Sequence, residues 1–195
     1  YSISLSPVIE ACFRMETPKT LGNVETIVTG SVRELCAAAA EACNALGYMP
    51  YILTDSLNCK AREAGAFLAA IARAHQNTDR SLAFLAGGET VVHLTGSGMG
   101  GRNQELALSA AEGIAGLRDT AVFSIGSDGT DGPADAAGGF VTGQTKDDLG
   151  KKGIQIFDVL KNNDSYHALK LCDGLLHTGA TGTNVNDVAV LLIRR

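Results

Sequence analysis

Gly87-Gly88-Glu89-Thr90-Val91-Val92-His93-Leu94-Thr95-Gly96-Ser97-Gly98-Met99-Gly100-Gly101-Arg102-Asn103-Gln104-Glu105 holds more potential chemistry than any other part of this chain. It reads as a strand over Thr90–Leu94, then a glycine-rich loop, then a helix from about Asn103 to Ile114. Glycine lets a backbone bend tightly and lets another body come close to it. Peptide N–H groups at a helix start suit an anion. Four polar side chains, Arg102 to Glu105, stand at the mouth of the loop.

The flanking segments set the fold class. Ser31-Val32-Arg33-Glu34 is a capping box, and Val32, Leu35, Cys36, Ala39, Cys43 and Leu46 repeat at helical spacing until Gly47. A second helical stripe runs from Ala61 to His75. Apolar runs at Thr26–Thr29, Met49–Leu53, Ser81–Ala86, Thr120–Ile125 and Val188–Ile193 read as strands. Shorter helices are expected near Thr145–Gly150 and Tyr166–Cys172, and after Pro7. Alternating strands and helices predict a Rossmann-like layered α/β sheet, mostly parallel, with helices on both faces. Residues 1–24 read as an N-terminal appendage or the remnant of a preceding domain, and 25–195 as one α/β domain. The chain opens on Tyr1, which reads as a piece of something longer.

Composition narrows the partners. The 195 residues are 45% hydrophobic and 19% charged, enough to bury a core. The net charge of −5, scattered basic residues and 5% aromatics argue against nucleic acid. No apolar run reaches transmembrane length. Five cysteines without C-x-x-C spacing argue against a disulfide framework and for a reducing cytoplasm.

Three polar glycine loops hold the candidate residues. In the first, Gly96, Gly98 and Gly101 match G-x-G-x-x-G, the dinucleotide fingerprint. Arg-Asn-Gln-Glu stands where that fingerprint has small residues, and Asp119, the ribose-acid candidate, precedes a strand. An anion held by loop amides and Arg102 is the favoured reading, since guanidinium grips carboxylate or phosphate in a fork. The second loop carries Asp128, Asp131 and Asp135, a pattern that holds Mg²⁺ near a phosphate or takes a hydroxyl proton, or else builds Asx turns. The third offers Thr181, Thr183, Asn184, Asn186 and Asp187. There is no P-loop, H-E-x-x-H or G-x-S-x-G motif, and the four histidines lack metal-ligand spacing.

Gly87-Gly88-Glu89-Thr90, Gly100-Gly101-Arg102-Asn103-Gln104-Glu105-Leu106-Ala107-Leu108, Ser127-Asp128-Gly129-Thr130-Asp131-Gly132-Pro133, Asn163-Asp164-Ser165-Tyr166 and Thr181-Gly182-Thr183-Asn184-Val185-Asn186-Asp187 follow in fixed order. Together they resemble the MOFRL domain, the C-terminal part of the type II glycerate kinases, also labelled hydroxypyruvate reductases. Glu16-Thr17-Pro18-Lys19 and the Ser31–Gly47 helix look like the end of that family's preceding domain. The resemblance implies ATP-dependent phosphorylation of D-glycerate, giving 2-phosphoglycerate. It implies Arg102, Asp128 and Glu105 as catalytic groups. Glu89, Gly100, Gly101, Asn103, Thr183 and Asn184 would bind substrate or phosphate, and Asp128 with Asp131 would hold Mg²⁺. It also implies that the family's N-terminal half supplies a lysine and a glycine-serine loop, that this chain alone is inactive, and that a homodimer is possible. A nicotinamide-dependent reductase and a non-catalytic ligand-binding domain are the alternatives.

Overall fold

The computed structural model describes residues 4–195; the first three residues of the expected appendage lie outside it. Its helices are α1 (Pro7–Phe13), α2 (Val32–Ala45), α3 (Ala61–Ala74), α4 (Arg102–Ile114), α5 (Thr145–Lys151), α6 (Ile156–Lys161) and α7 (Ser165–Leu171). Its strands are β1 (Met49–Leu57), β2 (Leu82–Gly88), β3 (Thr120–Gly126), β4 (Gly138–Thr142), β5 (Leu175–Leu176) and β6 (Asp187–Ile193).

The strands form one sheet in the order β1-β2-β6-β3-β4-β5. Among the strands of the described residues only β1 and β2 pair in parallel; every other strand pairing is antiparallel. The expectation of a mostly parallel sheet is therefore corrected. The cause is β6, which enters antiparallel between β2 and β3. Its residues are buried almost throughout, as β2's are, so both carry the continuous apolar pattern that usually marks a parallel centre.

Helices do cover both faces. On one face Leu82 and Phe84 of β2 and Ala189, Leu191 and Ile193 of β6 meet α3, α4 and the shorter helices α5 to α7. On the other, Ala83, Leu85, Val188 and Val190 meet Cys36 and Cys43 of α2. The alternation is the two-residue period of a strand. Ser31 caps α2 as the capping box requires, accepting from the Glu34 N–H. Each fully buried leucine here contributes about 1.5–3 kcal/mol. α3 and α4 approach closely through small residues, with Gly65 against the Leu106 carbonyl and Ala69 against Gly113.

Two expected strands are absent. Thr26–Thr29 has no regular structure, and Ile27 and Val28 are exposed. β-branched residues favour a strand only where an edge and a surface to cover are present. Thr90–Leu94 makes only an isolated bridge, Val91 to Lys60, because the chain leaves the sheet at Gly88 with φ +146°. β4, β5 and α6 were not expected. Val8, Ile9 and Phe13 do fall on a short helix, α1, but it buries nothing.

The C-terminal ends of β1, β2 and β3 and the N-terminal end of β6 all open on one edge of the sheet. Asp187 stands there in register with both Gly88 and Gly126.

A methyl group added at Gly65 has no room against the backbone of α4. The clash outweighs the ~1 kcal/mol that alanine gains inside a helix. Gly65→Ala should destabilise the fold by about 1–3 kcal/mol. A thermal melt should show the midpoint several degrees lower; an unchanged or raised midpoint contradicts this packing.

Candidate active site

At that edge lies a cleft of about 620 Å³, lined by Glu89, most of the segment between Thr90 and Gly101, Arg102, Glu105, Pro133 and Asn163. Arg102 is the first residue of α4. Its Nε donates to Asp187 Oδ2 at 2.5 Å and its Nη2 to Asp187 Oδ1 at 3.0 Å, a bidentate fork. Nη1 lies 3.3 Å from Glu89 Oε1. The Asp187 hydrogen bond is the largest influence on Arg102 and holds its pKa above the ordinary guanidinium value, so it stays charged. Asp187 is 9% exposed at its side chain and Arg102 32%: the carboxylate is buried and the cation still reaches the cleft.

From Thr95 to Met99 the glycine loop does not offer its amides to a ligand. The N–H groups of Thr95 and Gly96 donate to Asn163 Oδ1, that of Ser97 to Asn162 Oδ1, that of Gly98 to the Asn162 carbonyl and that of Met99 to Asp164 Oδ1. Five successive donors are thus engaged by the segment between α6 and α7. That segment also explains the glycines. A side chain at Gly96, Gly98 or Gly100 would run into Asn162, Asp164 or Ser165, and one at Gly101 into Asp131. The expected cradle of loop amides is corrected accordingly for residues 95–99. The dinucleotide reading loses its footing as well: β2 ends at Gly88 and no strand runs directly into Gly96, and Asp119 lies at the opposite end of β3.

The model of the MOFRL family matches residues 82–187, from the first residue of β2 to the Asp187 that grips Arg102. The chain belongs to the MOFRL family. It is 49% identical over 197 residues to a D-glycerate 2-kinase of Thermotoga maritima, covering 99% of this chain and 47% of that protein. It is 41% identical to a glycerate 2-kinase of Pyrococcus horikoshii, covering 95% and 44%. The crystal structure of a Thermotoga maritima glycerate kinase superposes with a TM-score of 0.91 over 98% of this chain and 47% of that one. This MOFRL chain spans about half the length of the curated relatives it matches.

Within the MOFRL chain the expected site residues separate into three groups. Glu89, Gly100, Gly101, Arg102 and Glu105 line the cleft. Asp128 and Asn184 form a second group, 3.5 Å apart, with Thr183 next to Asn184 on its loop. The two groups meet at Gly126, where Asp128 Oδ1 and Asp187 Oδ1 both border the glycine. Asn103 and Asp131 form the third group and turn inward. Asp131 is 2% exposed and accepts from the backbone N–H groups of Asn103 and Gln104 and from Asn103 Nδ2. It caps α4 from another loop. Asn103 accepts from Ser124 on its other side. The structure gives both residues, expected as a binding residue and a metal ligand, a buried position bonded within the protein. Among the described residues no group of three His, Cys, Asp or Glu side chains could hold a metal ion. With Asp131 committed to the helix, the Asp128–Asp131 pair does not fit Mg²⁺.

Glu105 is also buried, at 2% exposure. Its carboxylate accepts from Arg62 Nε at 3.0 Å and from Asn163 Nδ2 at 3.1 Å. Asp187 is among the candidates of the third loop but has no role assigned from sequence, Asn163 lies inside a quoted motif without a role, and Arg62 is not singled out at all. Arg62 carries no local signal, because only the packing of α3 on α4 brings it to Glu105.

Burial is the largest influence on Asp131 and raises its pKa above the ordinary 3.8, against the pull of the Gln104 and Asn103 hydrogen bonds. A carboxyl raised in the folded state stabilises most below its unfolded pKa, and that contribution fades as pH climbs through the folded value. Denaturation of the wild type from pH 3.8 upward should show this decline, and Asp131→Asn should lack that component. Identical pH slopes for the two proteins contradict the assignment.

Proposed function

We propose that this chain is the C-terminal part of a glycerate kinase that transfers phosphate from ATP to D-glycerate, giving 2-phosphoglycerate. The observation that carries the reading is Arg102, a permanently charged guanidinium fixed by Asp187 at the wall of a cleft. Asp187 takes two of the five N–H bonds a guanidinium offers, so the group is aimed without being used up. Phosphoryl transfer asks chiefly for such positioned charge. The names carried by the Thermotoga and Pyrococcus relatives support the same reading.

In this reading Arg102 holds the substrate's anionic group, carboxylate or phosphoryl. Asp128 serves the reacting hydroxyl, with Asn184 and Thr183 beside it. Glu89 shapes the wall and keeps Arg102 from swinging away. Gly100 and Gly101 deliver the chain to the start of α4. Glu105 acts through the loop it anchors and not on the substrate. A cleft of about 620 Å³ is in the range, roughly 300–1,000 Å³, that holds ligands much larger than a three-carbon acid, which leaves room for nucleotide. Arg102 is matched by Asp187 and Glu89, and Asp131 adds to the negative field on it, so further positive charge is required around a phosphate chain. The lysine expected of the family's N-terminal half meets that need, and without it this chain is inactive.

The test is a coupled ADP-release assay on the full-length protein. ADP release should depend on glycerate, and Arg102→Lys, which keeps the charge and loses the fork, should lower kcat/KM by about 10²–10³-fold. ADP release indifferent to glycerate overturns the kinase reading. Unchanged kcat/KM in the variant overturns the role of Arg102.

A further inference from the structure

The strip Asn162–Ser165 holds the glycine loop, and within it Asn163 does the most. It is 5% exposed and its φ is +54°, in the left-handed region. Its Oδ1 accepts from the N–H groups of Thr95 at 2.7 Å and Gly96 at 2.9 Å. Its Nδ2 donates to the His93 carbonyl at 3.1 Å and to Glu105 Oε2 at 3.1 Å. One amide thus grips the chain on both sides of the bend that carries Arg102. His93 to Gly96 lie before the bend, and Glu105 lies in the first turn of α4 after it.

We infer that Asn163 is the positioning residue of the Arg102 site, its side-chain amide fixing where the glycine bend ends and α4 begins. The residue type follows from three simultaneous demands. The backbone is left-handed, which asparagine tolerates. The loop amides need an acceptor, and His93 and Glu105 need a donor. Aspartate meets the first two and fails the third; glycine meets only the first.

Glu105 is faced by Arg62 from α3, whose Nη2 also donates to the Leu160 carbonyl. Asp164, next along the strip, is taken by the Met99 N–H and by His167. Among the described residues no second cation stands against Glu105 to absorb a new negative charge. Asn163→Asp therefore sets two carboxylates in contact, and such a pair retains a proton to higher pH than either carboxyl alone.

The inference rests on the kinase reading for turnover only, so the test has an arm that needs no activity. In the full-length protein, hydrogen exchange at the Thr95 and Gly96 amides should quicken at least about tenfold in Asn163→Gly, as expected when local protecting bonds are lost. Unchanged exchange overturns the inference. In ADP release, Asn163→Asp should lose about 10²-fold in kcat/KM at neutral pH, the scale of a 1 Å misplacement. Activity should recover as pH falls and the pair takes up its proton. Adding Glu105→Gln to Asn163→Asp returns a donor facing an acceptor and should restore much of the rate with a flatter pH profile. A loss without pH dependence or rescue marks a purely structural residue and overturns the positioning role. If the wild type releases no ADP with glycerate, the kinase reading fails and exchange alone decides for or against Asn163.

Discussion

The insertion of β6 between β2 and β3 is the constraint on which everything else depends. It joins a parallel pair to an antiparallel ladder and fills the middle of the sheet with the most continuously apolar strand. It also brings the N-terminal end of β6 to the edge where β2 and β3 end. Asp187, its first residue, therefore stands between two glycines and below the first turn of α4. A carboxylate buried there needs a partner, since an unpaired buried charge costs several kcal/mol. Arg102 supplies it. The same pair ties helix to sheet and fixes the one cation that, among the described residues, lines the cleft.

Polar groups around the cleft divide between building and display. The amides of residues 95–99 are engaged by their own protein, and Asp131, Asn103, Glu105 and Asn163 are buried and hydrogen-bonded. They shape the rim of the cleft. Arg102, Glu89, Asp128 and Asn184 keep exposure at the same edge. Such a division suits a preorganised site, where groups that meet the ligand are held by groups that do not.

Much of the fold could be read from residue order. The cap at Ser31, the stripe of α3 and the apolar runs of β2, β3 and β6 are local patterns, and the structure keeps them. Neighbour order was not legible, because an apolar strand buried on both faces looks alike in parallel and antiparallel surroundings. The glycines of the first loop were legible as a demand for bare backbone. What presses on that backbone was not. A ligand and the protein's own residues 162–165 impose the same requirement, and here the protein is the neighbour. Arg102 stood out by its charge at a helix start, where a cation is disfavoured. Asp187 did not stand out, because its meaning comes from where β6 is inserted.

The central position of β6 has a consequence for how the chain reaches this structure. β2 and β3 cannot be bridged until the last strand in the sequence arrives, so residues such as Ala86 and Ala189 must meet across most of the domain. Contacts of such long separation slow folding, since loop-closure entropy is lost before the contact is gained. Until then β2 and β3 each present an open, apolar edge, the kind of surface that recruits other chains. Nascent molecules are thus most vulnerable to aggregation in the interval before Asp187–Ile193 takes its place, and β6 acts as the closing piece that ends it.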